Sequence, residues 1–139
     1  MRTLAILITS MILFGCSSGP EPIRYGEEAC DFCQMTIVDN RFGCELVTDK
    51  GKIYKFDAIE CMANYQEAHS DVSWSHVMVT DFTKPGLLLD AENALILHSE
   101  GLPSPMGGYL SAVPDTPSAE RLKDQHGGEI LRYSEVTLN

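Results

Sequence analysis

Basic side chains are scarce in this sequence. Ten lysines and arginines face twenty aspartates and glutamates, for a formal net charge of −10. Nucleic-acid binding is driven by Lys and Arg neutralising phosphates, so this balance excludes that class. A negative field instead concentrates cations or favours a basic docking surface. Long apolar runs are also missing. The longest, Leu4 to Phe14, has the length of a signal-peptide core and falls short of the ~18 residues that argue for a membrane span. No nucleophile elbow, P-loop or dinucleotide fingerprint occurs. The four histidines show no H-x-x-x-H spacing, and the carboxylates form no paired arrangement. Hydrolase and nucleotide-dependent chemistry therefore lack their residues.

What is present begins at the N-terminus. Arg2 supplies a short positive region, and the apolar run ends in Leu13-Phe14-Gly15-Cys16. Small residues before a cysteine at that place resemble a bacterial lipobox. The expectation is a lipoprotein signal over residues 1–15, with Cys16 lipidated and the chain anchored to a membrane in the cell envelope, facing the periplasm. Residues 16–28, with the small, polar, Pro-containing stretch SSGPEPIRYGEE, read as a tether with little fold of its own. About 110 residues remain, enough for one modest core or two small units sharing one.

Residues 30–35 then read Cys-Asp-Phe-Cys-Gln-Met. Two thiols and a thioether within six residues are a soft-donor cluster. Soft sulfur selects Cu(I), Zn or iron–sulfur, and a thioether argues for copper over zinc. Cys33 and Met35 alternate, so an extended segment would put them on one face. Cys30 sits on the preceding turn, as a further ligand or as a partner for Cys33. Met106, between Pro105 and two glycines, is a candidate third ligand on a loop; its bland role is to plug the core. His126 is either a nitrogen ligand or a charge complementing a helix C-terminus. Met62 and Met78 have core spacing. With Cys16 assigned to lipid, Cys30, Cys33, Cys44 and Cys61 allow three disulfide connectivities. A Cys30–Cys33 redox disulfide, a four-thiolate zinc site and a Cu(I) site with a structural Cys44–Cys61 disulfide all stay open.

Patterning predicts the elements. Thr36–Val38 and Phe42–Thr48 read as strands around an Asp39-Asn40 turn, and Lys52–Phe56 as a half-buried strand. Asp57 with Glu60 forms a capping-box pattern for a helix running to about His69. Ser75–Phe82 is another strand. Short strands follow at Leu87–Leu89 and Ala94–His98, then the loop carrying Met106, then a strand at Tyr109–Val113. Asp115-Thr116-Pro117 starts a second helix, whose Ala119, Leu122 and His126 share a face. Gly127-Gly128 stops it, and Glu129–Tyr133 closes the chain. The order is an α+β fold of tandem ββαβ units sharing a core, one over residues 29–84 and one over 85–139.

The lipobox, the Cys30-Asp31-Phe32-Cys33-Gln34-Met35-Thr36-Ile37 segment, the Ser104-Pro105-Met106-Gly107-Gly108 loop and the Gly127-Gly128-Glu129-Ile130-Leu131-Arg132-Tyr133 tail together resemble the NosL family of nitrous oxide reductase accessory lipoproteins. The resemblance implies a Cu(I)-binding chaperone that is not an enzyme. It would supply copper for the copper centres of nitrous oxide reductase alongside a copper-loading membrane transporter complex. It also implies a tandem ββαβ fold related to organomercurial lyase. Carried over residue by residue, the copper ligands are Cys33, Met35 and Met106, with Cys30 behind them; Cys44, Cys61 and Met62 lie outside the pattern. Gln34 stands where many members have glycine, which predicts altered loop geometry at the metal. Two rival readings remain: a membrane-tethered thiol–disulfide oxidoreductase using Cys30 and Cys33, and a passive structural lipoprotein with two disulfides.

Overall fold

The computed structural model describes residues 19–136. The expected signal and the lipidated Cys16 lie outside the described residues. Strands β1 (Cys44–Thr48) and β2 (Ile53–Phe56) form a hairpin, followed by helix α1 (Ile59–Ala68) and strand β3 (Trp74–Thr80). Strands β4 (Leu88–Asp90), β5 (Leu95–His98) and β6 (Leu110–Val113) lead into helix α2 (Thr116–His126), strand β7 (Glu129–Arg132) and a 3-10 turn at Tyr133–Glu135. Among the described residues no helix is long and apolar enough to cross a membrane.

The ββαβ order is present twice, in two antiparallel sheets. The first has strand order β2-β1-β3-β4 and the second β6-β5-β7. β4, which the sequence groups with the second half, pairs with β3 through Met78–Asp90, Val79–Leu89 and Thr80–Leu88. The sheets meet at a parallel bridge between Asp81 and Ala112, where the Phe82 N–H donates to the Ala112 carbonyl at 2.8 Å.

Strand alternation distributes the apolar side chains. Ile96 of β5 enters the larger core with Leu46, Phe56, Met62 and Val79, while its neighbour Leu97 enters the smaller core with Val113, Ala119 and Leu122. Successive side chains of a strand point to opposite faces, so β5 is buried on both. The larger core draws on both ββαβ units, which is what makes the two one folded body. Helix α2 begins as its sequence predicts: the Asp115 carboxylate accepts the Ser118 N–H at 2.8 Å, and Gly127 ends the helix at φ 72°. Both features satisfy end groups that have no partner within the helix.

Four expectations are corrected. Thr36–Val38 forms no strand, only a bridge from Thr36 to Ala29, because its one partner is the short stretch before the cysteines. Asp57 and Glu60 form no capping box. Ala58 is the N-cap without a side-chain bond, since both carboxylates are drawn inward to other donors. Met78 is half-buried on the face opposite Val77 and Val79, packed between Glu45 and Asp90. The stretch from Glu21 to Glu28 has structure of its own: Ile23 is buried in the larger core, the Glu21 N–H donates to Glu45, and Tyr25 packs beside Thr80. An apolar Ile-x-Tyr spacing inside a polar stretch supplied that anchor.

Candidate metal centre

The Cys-x-x-Cys-x-Met segment is a tight loop at the end of a narrow hairpin. The Ile37 N–H donates to the Glu28 carbonyl at 2.9 Å, Cys30 N–H to Met35 at 2.8 Å, and Gln34 N–H back to Cys30 at 3.0 Å. Asp31 pins the loop to β2: its N–H donates to the Lys55 carbonyl, and its carboxylate accepts the Lys55 N–H at 2.7 Å. Gln34 takes φ +65°, the left-handed region that glycine adopts without cost. Gln34 thus takes a glycine-like bend where an ordinary φ was expected, and its side-chain amide braces the bend by donating to the Asp31 carbonyl. The same bend removes the extended geometry that would align Cys33 with Met35. Cys33 turns inward and is half-buried, whereas Met35 is 57% exposed.

Beneath this loop, ligand atoms of Cys30, Cys33, Asp57 and Cys61 all lie within 4.8 Å of one another. Three of these residues are buried, and only Cys33 is partly open. The Cys33 thiol donates to Asp57 Oδ2 at 3.6 Å, while Asp57 Oδ1 is buried without a partner. A buried carboxylate oxygen lacking a donor is costly, and its place among three thiols suits a cation. Three soft donors and one hard donor match the sulfur preference of Cu(I) or Zn(II).

The electrostatics of the three thiols differ. Hydrogen bonding from the Cys61 thiol, more than any other influence, lowers Cys30 below the ordinary thiol range, to about 6. The same contact, helped by burial, holds the proton on Cys61 well above the ordinary thiol range. Burial raises Cys33. Cys30 is thus the thiol that most readily loses its proton, and an arriving ion would displace the protons that its neighbours hold. Cys44 is elsewhere: fully buried on β1, its thiol donates to the Phe42 carbonyl at 3.2 Å, and desolvation raises it strongly. The structure does not bring Cys44 into the group that holds Cys61.

The thioethers lie outside this buried set. Met106, 40% exposed, lines a cavity of about 560 Å³ together with Phe32 and Cys61. Met35 lines a second cavity with Asp57, Ser104 and Pro105. The 103–106 loop therefore runs beside the cysteine loop, with one thioether in each adjoining hollow. His126 is half-buried at the end of α2, in a third hollow with His98 and Glu129 that no cysteine lines.

Sequence reasoning missed Asp57 as a site residue and weighed Cys61 only for a four-thiolate zinc site or a disulfide. Cys61 is the third residue of α1, and Asp57 precedes it by four positions at the helix entrance. Four-residue spacing across a helix start puts two side chains on one side, and that signal was available. What it lacked was any indication that this side faces Cys30.

Two ββαβ units sharing a core, with three thiols and a carboxylate converging under a thioether-bearing loop, define a small α+β domain with a soft-donor candidate metal centre. Comparison with known proteins agrees on the fold and names the family. The chain belongs to the NosL family, whose sequence model matches residues 24–139. It is similar to the copper-binding lipoprotein NosL of Stutzerimonas stutzeri, at 25% identity over 149 residues that cover 96% of this chain and 78% of that protein. Its fold is that of the copper chaperone NosL from Shewanella denitrificans, with a TM-score of 0.74 at 21% identity, covering 86% of this chain and 96% of that one.

Proposed function

We propose that this protein is a membrane-anchored Cu(I)-binding chaperone of the periplasm that delivers copper for assembly of the copper centres of nitrous oxide reductase, through the membrane transporter complex that loads them. The observation that carries the reading is the cluster of Cys30, Cys33, Asp57 and Cys61, in which Cys33 is the partly open thiol, with Met106 in a hollow that Cys61 lines and Met35 in one that Asp57 lines. Family membership and the copper-binding names of both relatives support the choice of metal. The lipobox and the relative's name as a lipoprotein support the anchor.

A carrier must hold its ion against free solution and still release it. Soft sulfur donors give Cu(I) its affinity. A partly open donor at Cys33 and exposed ones at Met35 and Met106 leave the ion open to an incoming thiol, thioether or imidazole. Copper then passes by ligand exchange: a partner ligand bonds before the last chaperone ligand leaves, and the ion stays Cu(I). The excess of carboxylates favours a basic docking face on the recipient.

The test is Cu(I) titration of reduced protein from residue 17 onward, which holds both cores, against a calibrated chelator, with Cys33→Ser, Met35→Leu and Met106→Leu in parallel. Tight one-to-one binding that weakens at least tenfold in each variant is expected. Reduced protein that binds no Cu(I) would sink the proposal and bring thiol–disulfide exchange at Cys30 and Cys33 forward.

A further inference from the structure

Three thiols meet at one place, and they differ in access. Cys33 is partly open, whereas Cys30 and Cys61 are 1% and 2% exposed. The sulfur atoms of all three lie within 4.8 Å of one another, close enough for exchange to pass from one to the next. From this arrangement we infer that Cys30 and Cys61 are a disulfide-forming pair, and that their oxidation leaves Cys33 as the one cluster thiol still able to bind copper. The pairing stands on geometry; its consequence for copper rests on the function proposed above.

The exchange sequence follows from access. An incoming disulfide, such as that of a thiol oxidase or of oxidised glutathione, can reach only Cys33. The Cys33 sulfur attacks it, a mixed disulfide forms, and one thiol leaves. Cys30 attacks the Cys33 sulfur and expels the second thiol. With Cys30 now in a disulfide, its thiolate no longer holds the Cys61 proton; Cys61 then attacks the Cys30 sulfur, and its proton passes to the departing Cys33. In sum, two electrons pass from Cys30 and Cys61 to the incoming disulfide, which leaves as two thiols, and Cys33 ends as it began.

Two features make Cys30–Cys61 the resting product. A Cys30–Cys33 bond would stay reachable by reductants through the partly open Cys33, and exposed disulfides are the labile ones. A Cys30–Cys61 bond is buried and joins the hairpin loop to α1 across a long stretch of chain, which restricts the unfolded state more. Cys33 in that product keeps its contact with Asp57 and its place beside the thioether loops. A chain with only a Cys-x-x-Cys pair would lose its copper thiol to the same oxidant; Cys61 prevents that loss.

The experiment is to incubate reduced protein from residue 17 onward with excess oxidised glutathione, quench with acid, alkylate under denaturing conditions and map the peptides. In parallel, Cu(I) affinity is measured for the reduced and the oxidised protein. The expected majority species links Cys30 to Cys61 with Cys33 and Cys44 alkylated, and it still binds one Cu(I), more weakly than the reduced form, which offers two more thiols. In Cys61→Ser the same treatment should stop at Cys30–Cys33 and abolish copper binding. A majority Cys30–Cys33 or Cys33–Cys61 link in the wild type, no link at all, or loss of copper binding on oxidation would each overturn the inference. Reduced protein that binds no Cu(I) yet oxidises to Cys30–Cys61 would overturn the proposed function and leave the pairing in place. The wild-type map needs no variant to fold.

Discussion

The Glu60 carboxylate and the Gly108 backbone are bonded to each other across the two ββαβ units. Glu60 Oε1 accepts the Gly108 N–H at 2.9 Å and the Ser104 hydroxyl at 2.5 Å. Glu60 is in the first turn of α1, one residue before Cys61, and Ser104 and Gly108 flank Met106. One buried carboxylate thus fixes the thioether loop to the helix that carries a cluster thiol.

That contact is tight enough to test with a single methyl group. A Cβ at Gly108 would stand 2.7 Å from Glu60 Cδ. Gly108→Ala should destabilise the fold by about 1–3 kcal/mol, the usual cost of overpacking, and should weaken Cu(I) binding by moving Met106. The urea midpoint and a chelator titration report the two effects. An unshifted midpoint would mean that the carboxylate moves aside freely.

Glu45 makes stability depend on pH. It is buried on β1, one oxygen accepts the Glu21 N–H, and the other has no partner. Burial raises its carboxyl from the ordinary 4.5 to about 7. The protonated form suits the interior, so this group's contribution is full below pH 4.5 and is lost as pH rises through about 7. Glu45→Gln carries no charge at any pH. It should be more stable than the parent above about pH 7, on the order of 1–2 kcal/mol, and lose that advantage below about pH 5. Urea midpoints at the two pH values decide it; an equal difference at both would refute the assignment.

Leu97 separates stability from the site. It is fully buried in the smaller core, on the face of β5 opposite Ile96. Leu97→Ala should cost about 2–5 kcal/mol, while Cu(I) affinity of the folded fraction stays within about twofold. A large loss of affinity at full folding would show that the two faces of β5 are coupled.

His126 provides the complementary control. Its hollow holds no cysteine, and its carbonyl accepts the Ser99 hydroxyl at 2.8 Å. His126→Ala should leave Cu(I) affinity within about twofold of the parent. A tenfold loss would return His126 to the ligand set and require the end of α2 to reach the thiols.

Much of the fold was legible locally. Lys52–Phe56 reads as a half-buried strand because side chains alternate along a strand, and Asp115 with Gly127 bounds α2 because a carboxylate and a left-handed residue are what helix ends need. The soft-donor character of residues 30–35 was legible too, since it resides in residue type. The failures have a common cause. Asp57 and Glu60 have the spacing of a capping box, but Cys33, Ser104 and Gly108 are better placed partners for their carboxylates. Thr36–Val38 is β-prone, yet its pairing is a single bridge from Thr36 to Ala29.

The sequence by itself determined the two ββαβ units, the helix ends and the presence of thiols and thioethers, because periodicity, capping and ligand softness are properties of neighbouring residues. Only the tertiary structure decided which thiols meet. Cys30 and Cys61 are 31 positions apart, and nothing in either neighbourhood refers to the other. They come together because Asp31 ties the hairpin loop to β2 and the larger core seats α1 beneath that loop. The bend at Gln34 was decided in the same way: a non-glycine residue holds a left-handed conformation there because the loop around it is bonded at both ends.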